Sequence, residues 1–231
     1  MERVGRITEK MVGEEQCGFR NGRGCTYQVF VIRELSVRFE SKGKDMYVAY
    51  MDLEEVYDRI DRNAMWRVLE MYGINDNLLR AIKSFYNGSD ACVRVCRKMS
   101  DWFSVKVGLR QGCVMSPWLF NIFMDGVMRE VREKVGDVGV KLWDNSRRCK
   151  WKIEWLMFAD DTVLVGDSEE KLQMLVREFG NVCKRRKLTV NVNKSKTMKI
   201  SGKENEFDLN VEIIGERLEA VETYEYLGVK V

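Results

Sequence analysis

Histidine is missing from all 231 residues. That excludes His-based triads and His acid–base catalysis, so any proton transfer must use carboxylates, Lys, Tyr, Cys or water. Seven cysteines are scattered at 17, 25, 92, 96, 113, 149 and 183, and none forms a C-x-x-C pair. Without histidine or tight ligand spacing, a structural zinc site is excluded. The odd count suits a reducing compartment better than a disulfide framework, so an intracellular setting is expected, nucleus or cytoplasm. The single proline, Pro117, argues against Pro-rich linkers and disordered tracts. No apolar run approaches the roughly 18 residues of a membrane span. The start, Met1-Glu2-Arg3-Val4-Gly5-Arg6, lacks the apolar core of a signal peptide, and no membrane partner is expected.

What is present is ordinary for a globular chain: 45% hydrophobic and 32% charged residues, with a net charge of +3. The length allows a large core or two small domains. The sign of the charge agrees with a nucleic-acid partner without demanding one. Basic residues cluster at Lys184-Arg185-Arg186-Lys187 and at Arg147, Arg148, Lys150 and Lys152. A solvated face accounts for either cluster as well as a nucleic-acid surface does.

Residues 1–26 carry glycines at 5, 13, 18, 22 and 24 and read as loop around a short helix. Apolar spacing predicts a helix over 27–40, a turn at 42–45 and a strand over 46–52. Asp61 reads as the N-cap of a helix over 62–72 with Met65, Val68, Leu69 and Tyr72 inward, closed by Gly73. A helix over 76–86 presents Leu78, Leu79, Ile82 and Phe85. Residues 91–96 and 102–107 alternate as a strand pair, with Ala91, Val93 and Val95 on one side. Ser116-Pro117 reads as N-cap and first residue of a long helix ending near Gly136. Residues 137–150 read as strand, turn at Asp144-Asn145-Ser146, and return. Ser168 caps a helix over 169–187, with Glu169 and Glu170 in its first turn and the basic run at its C-terminus, where the helix dipole favours cations. Short strands and turns follow. Helices over a mostly antiparallel sheet make the class α+β.

Two stretches carry chemistry. In Trp155-Leu156-Met157-Phe158-Ala159-Asp160-Asp161-Thr162-Val163-Leu164-Val165, two apolar runs flank adjacent carboxylates, as a hairpin with Asp160 and Asp161 at its turn. Turn chemistry alone explains such a pair. The second stretch, Val48-Ala49-Tyr50-Met51-Asp52, is another apolar strand ending in a carboxylate. A hard divalent cation takes oxygen ligands, one or two carboxylates plus substrate phosphates. Two such ions stabilise the attacking and leaving oxygens of phosphoryl transfer, which needs carboxylates brought from separate strands. Asp52, Asp160 and Asp161 form a candidate set.

These residues also carry a resemblance. Phe158-Ala159-Asp160-Asp161 resembles the F/Y-x-D-D motif of reverse transcriptases, and Ala49 to Leu53 with Tyr57-Asp58 resembles the motif of their first catalytic Asp. Gly108-Leu109-Arg110-Gln111-Gly112 through Ser116-Pro117 is similar to their template- and nucleotide-contacting motif. Asn191 through Lys196 and Tyr226-Leu227-Gly228 resemble the two that follow, the last being the primer grip. Glu14 through Arg20 with Gly22-Arg23-Gly24 is similar to the preceding segment of non-LTR, LINE-type elements. The motifs stand in the family's order over nearly the whole chain.

The resemblance implies a right-hand polymerase palm with partial fingers and no thumb: fingers over 1–45, palm over 46–231, and a fingers insertion around 73–107. It implies RNA-directed DNA synthesis, with an RNA template, a DNA primer and dNTPs as partners and Mg²⁺, or Mn²⁺ in its place, as cofactor. Asp52, Asp160 and Asp161 would hold the metals with the Leu53 carbonyl. Tyr57 would bar a 2′-hydroxyl, which argues against an RNA-synthesising palm. Arg110, Gln111, Gly112 and Lys194 would meet the nucleotide, and Tyr226, Leu227 and Gly228 the primer. Three positions depart from the family: Glu55 where Lys is common, Val56 where Ala is common, and Tyr27 where an acid is common. A second carboxylate at Glu55 would repel a triphosphate. The expected lack of a thumb and of the upstream fingers segment keeps a second reading open, a truncated or domesticated non-catalytic remnant that binds nucleic acid or protein.

Overall fold

The computed structural model describes residues 5, 9–74, 76–143, 149–201 and 209–231. A five-stranded sheet organises it, made of β1 (Met46–Met51), β2 (Trp155–Phe158), β3 (Asp161–Gly166), β4 (Lys196–Ile200) and β5 (Glu219–Ala220). In space the order is β5-β4-β1-β3-β2. Central β1 runs antiparallel to β3 and β4, β2 and β3 form a hairpin, and only β4–β5 is parallel. Six helices surround the sheet among the described residues: α1 (Cys25–Glu40), α2 (Val56–Arg59), α3 (Arg62–Met71), α4 (Asp76–Tyr86), α5 (Ser116–Val135) and α6 (Glu169–Arg185). None is long and apolar enough to cross a membrane.

Strand β1 is apolar throughout because both its faces are covered. Met46, Val48 and Tyr50 pack with Val163, Val165 and Met198 against Val29, Ile32 and Leu35 of α1. Ala49 and Met51 point the other way, into the larger core built by α3, α5 and α6. Helix α5 runs through that core. Its Leu119, Phe120, Ile122, Phe123, Met124, Val127 and Val131 are buried around most of the helix surface, so it reads as apolar rather than amphipathic. Helix α6 buries one stripe, Leu172, Leu175, Val176, Phe179, Val182 and Cys183. Full burial of each such side chain contributes about 1.5–3 kcal/mol, so these two helices fix the sheet's position.

The caps fall where the sequence puts them. Asp61 accepts from the N–H groups of Asn63 and Ala64, and Ser168 from that of Lys171. The basic run at the end of α6 has a structural role. Arg185 and Arg186 grip the two oxygens of Glu130 on α5 at 2.8–3.0 Å, and Lys187 pairs with Asp61 at 2.8 Å. Lys152 pairs with buried Glu154 at 2.7 Å. Arg147, Arg148 and the expected turn at 144–146 lie outside the described residues, as do most of residues 1–8 of the stretch in which a short helix is expected.

Several expectations are corrected. The strand pair over 91–96 and 102–107 is two nested ladders of two residues each, Asp90–Ala91 with Phe103–Ser104 and Arg94–Val95 with Lys98–Met99. Its alternation marks no buried face, since Val93 and Val95 are exposed. Ser116 is the first residue of α5, not its cap. Met115 occupies the cap position, and the Ser116 hydroxyl donates to the Arg110 carbonyl at 2.8 Å. Helix α4 turns Tyr86 inward and leaves Phe85 63% exposed. Cysteines 17, 25, 92, 96, 113 and 183 are free thiols.

Candidate active site

The end of β1 meets the β2–β3 turn. Met51 pairs with Thr162, and one more step of that register sets Asp52 across from Asp161. Phe158 pairs with Asp161, leaving Ala159-Asp160 as a two-residue turn. The adjacent carboxylates diverge as strand alternation requires. Asp161 shares a face with Val163 and Val165, whereas the charge of Asp160 reaches Tyr57 in the opposite core.

A splint formed by residues 189–195 holds Asp52. Its backbone N–H donates to the Ser195 hydroxyl at 3.1 Å, and its carbonyl accepts from the Asn191 N–H at 2.9 Å. The Ser195 hydroxyl in turn donates to the Asn191 carbonyl at 2.8 Å. Glu54 N–H bonds to Thr189, and Leu53 bridges Val190, which fixes the Leu53 carbonyl beside Asp52. Ser195 was visible only as part of a motif; a serine between two lysines signals a turn and nothing more.

The carboxylates disfavour one another's charge. Burial raises Asp52 above the ordinary carboxylate range; Lys194 opposes the rise, Asp160 and Glu54 add to it, and a hydrogen bond from Asn191 opposes it. Asp161 is raised by burial, then by Asp160 and Asp52. A divalent cation relieves that kind of strain. Among the described residues no group of three or more His, Cys, Asp or Glu closes into a metal cage. The donor set is all oxygen, which suits a hard cation whose remaining ligands come from substrate phosphates and water.

Tyr57 forms the floor on one side. Its ring stacks on Phe120 of α5 at 4.4 Å and 13°, with Phe19 edge-on at 6.3 Å. Its hydroxyl is buried without a partner among the described residues, and burial followed by the Asp160 charge pushes its pKa far up. The Gly108 loop lies flat on this turn. Gly108 N–H donates to Ile60 and Leu109 N–H to Tyr57, at 2.9 and 2.7 Å. A Cβ at Gly108 would fall 2.7 Å from the Asp58 carbonyl oxygen, so only glycine allows this approach. Gln111 donates to both Asp58 oxygens at 3.2 Å, and Gly112 is left-handed and exposed. Arg110 is engaged elsewhere: its guanidinium donates to Ser89 at 2.8 Å and lies over the Tyr86 ring. Lys194 is exposed, with its charge felt at Asp52. Glu55, left-handed at φ 44°, is drawn to Arg59 at 3.7 Å.

Tyr226, Leu227 and Gly228 form a hairpin tip whose turn residues, Leu227 and Gly228, are both left-handed. Tyr226 is buried 5.7 Å from the Tyr50 ring, and Tyr224 stacks on Tyr50 at 4.0 Å. Burial, and after it the Asp161 charge, raises the pKa of both Tyr224 and Tyr226, so this cluster borders the carboxylates. Sequence reasoning missed Tyr50 and Tyr224. Tyr50 was within reach, because it stands two residues before Asp52 and strand alternation puts both on one face.

Residues 2–231 match the family described as reverse transcriptase (RNA-dependent DNA polymerase). A retrovirus-related Pol polyprotein from type-1 retrotransposable element R2 of Nasonia vitripennis is 30% identical over 133 residues, 57% of this chain and 12% of that protein. Its counterpart from element R2DM of Drosophila melanogaster is 25% identical over 189 residues, 81% of this chain and 17% of that protein. The chain thus spans less than a fifth of these curated relatives. In fold it is similar to apo telomerase of Candida tropicalis truncated from the C-terminal domain, with TM-score 0.68 and 13% identity over 100% of this chain and 42% of that one. Telomerase of Candida albicans in complex with a fragment of telomeric RNA gives TM-score 0.67 and 12% identity over 99% of this chain and 36% of that one.

Proposed function

The chain belongs to the reverse transcriptase (RNA-dependent DNA polymerase) family, and from that membership we propose that its site adds deoxynucleotides to a primer 3′-hydroxyl on an RNA template. The fold is a polymerase palm with part of the fingers. We assign 1–45 to the fingers and 46–231 mainly to the palm, with a fingers insertion around 73–107. The family uses divalent metals and binds template and primer; for this chain the proposed ion is Mg²⁺, with Mn²⁺ able to replace it, and the nucleotide is a dNTP.

Asp52, Asp160 and Asp161, with the Leu53 carbonyl, are the proposed metal ligands. When bound, such ions acidify the primer hydroxyl and neutralise the triphosphate and the leaving pyrophosphate. The chain's own residues do the rest. Tyr57, braced by Phe120, closes the space beneath the sugar and excludes a 2′-hydroxyl. Lys194 directs a cation toward the leaving group. Gln111, steadied by Asp58, and Gly112 line the nucleotide side. The Tyr226–Gly228 tip receives the primer end. Arg110 enters only as a brace for that loop. Glu55, engaged by Arg59, is less of an obstacle to a triphosphate than its charge implies.

The observation that carries this reading is the convergence of Asp52 with the Asp160-Asp161 turn across adjacent strands. The test is single-nucleotide addition with Mg²⁺ on an RNA template at low salt, alongside template binding. Asp52→Ala and Asp160→Ala are expected to abolish addition and leave binding nearly intact, since lysine and arginine contacts to phosphate dominate affinity. A variant that still adds nucleotide at the parent rate sinks the assignment. A parent chain that binds RNA and adds nothing favours the non-catalytic reading.

A further inference from the structure

The turn that carries Asp160 is not self-supporting. Ala159 sits at φ 58°, a left-handed conformation that alanine adopts poorly. In a bare two-residue hairpin the outward peptide groups bond to water, yet Ala159 is only 7% exposed. Gln16, 2% exposed, takes the place of that water. Its Nε2 donates to the Ala159 carbonyl at 3.1 Å, and its Oε1 accepts from the Ala159 N–H at 3.0 Å. A primary amide offers a donor and an acceptor side by side, as a peptide edge does, so it can hold both groups of one residue at once. The same Oε1 also accepts from Gly18 N–H at 2.8 Å.

The amide is itself held rigidly. Cys17 N–H donates to Met157 at 2.8 Å, and Met157 N–H donates to Glu15 at 2.9 Å, so residues 15–17 run as a short rail along β2. Asn121 of α5 donates to the Gly18 carbonyl at 2.8 Å, and buried Arg20 donates to the carbonyls of Gly13 and Gln16. A Cβ on Gly18 would fall 2.2 Å from the Ala159 nitrogen, so the segment lies in backbone contact with the turn.

We infer that Gln16 is a positioning residue for the catalytic carboxylates, setting the aim of Asp160 through the backbone of Ala159. This rests on the proposed role of Asp160. Gln28 provides the comparison: it is equally buried and donates to the Glu15 and Met157 carbonyls at 2.7 and 2.9 Å, on the same rail but away from the turn. A glutamine that merely satisfies the core behaves like Gln28.

The experiment compares Gln16→Met with Gln28→Met in the whole chain. The readouts are thermal melting, Mn²⁺ binding followed by the spin resonance of free Mn²⁺, and single-nucleotide addition resolved into kcat and KM. Both variants are expected to melt earlier. Gln16→Met should lower kcat about 10- to 100-fold, the effect of misplacing a reacting group by about 1 Å. It should weaken Mn²⁺ binding severalfold and leave the KM for dNTP within about twofold. Gln28→Met should leave kcat and Mn²⁺ binding unchanged. If Gln16→Met does not fold, Gln16→Glu keeps the length and the acceptor but loses the donor, and carries the same comparison. Equal kcat and Mn²⁺ affinity in both variants, whether unchanged or equally reduced, overturns the inference. A parent chain whose Mn²⁺ binding is indifferent to Asp52→Asn and Asp160→Asn overturns the carboxylate assignment first, and this inference with it.

Discussion

Replacing Gly18 by alanine tests directly how the N-terminal segment meets the hairpin. The new Cβ would lie 2.2 Å from Ala159 N, 2.8 Å from its Cα and 3.0 Å from Phe158 C. All three are backbone atoms of a paired hairpin, so no side chain can swing aside. Ordinary contact begins at 3.4 Å, and the segment must back away by about 1 Å. That distance breaks the Gln16 bonds to Ala159 and strains the rail bonds at Cys17 and Met157. A buried polar group left unpaired costs about 1–3 kcal/mol, and overpacking alone costs about as much. The expected loss is therefore about 2–4 kcal/mol once partial relaxation is allowed. Gly22 is the internal control. It sits at φ +72° with nothing within 4 Å among the described residues, so Gly22→Ala meets only the left-handed penalty of about 1 kcal/mol. Asparagine tolerates that conformation, so Gly22→Asn should recover part of the loss while Gly18→Asn recovers none. Urea unfolding followed by tryptophan fluorescence measures the midpoints, with the slope expected to stay constant. Gly18→Ala unfolding no earlier than Gly22→Ala would refute the seating of this segment against the turn.

Tyr57→Ala should raise the kcat/KM for ribonucleotides relative to deoxynucleotides by about 10- to 100-fold, while Tyr57→Phe should leave the ratio unmoved because the hydroxyl has no partner among the described residues; an unchanged ratio in Tyr57→Ala would reduce the residue to a core aromatic. Asp61→Ala should cost about 1 kcal/mol at neutral pH through loss of the α3 cap. Lys187, and after it the N–H of Ala64, holds the Asp61 carboxyl below its ordinary value of 3.8. Its contribution is therefore complete above that value and fades as the pH falls through the lower folded one. Parent and variant melting curves should converge in strong acid; a constant gap would show that charge has no part in the cap.

How far the sequence reveals this molecule follows from how local each signal is. The α6 helix is written in its own residues: Ser168 ahead of two glutamates, a stripe from Leu172 to Cys183, and basic residues at the end. The hairpin at Asp160 is equally local, two apolar runs around a polar turn. Where the signal depends on what lies opposite, the reading slips. The alternation over 91–96 looks like a half-buried strand, but Val93 and Val95 stand exposed, with no layer over them among the described residues. Ser116 before Pro117 looks like a cap, but the Arg110 carbonyl takes its hydroxyl. The candidate carboxylates were legible because strand ends advertise them. Their supports were not, since Asn191, Ser195 and Gln16 act through backbone atoms far away in the chain, and nothing in a glutamine's immediate neighbours says that it faces a turn 143 residues later.

Those supports follow from the electrostatics of the site. Asp52, Asp160 and Asp161 repel one another, and the desolvation of half-buried Asp52 and of Asp161, exposed at the strand end, sharpens the effect. Nothing in that interaction favours bringing the strands together, so the approach must be enforced from elsewhere. The β3 strand cannot yield, because it is paired on both edges, with β1 and β2. The end of β1 cannot fray, because the 189–195 splint bonds both the N–H and the carbonyl of Asp52. The turn cannot flip without orphaning the two groups that Gln16 holds. Each restraint acts on backbone and, among the described residues, leaves the carboxylate oxygens almost unclaimed, the Asn191 contact to Asp52 excepted. A main chain pinned in this way, with few partners on the side chains among the described residues, is the arrangement the proposed metal-binding role of these carboxylates requires.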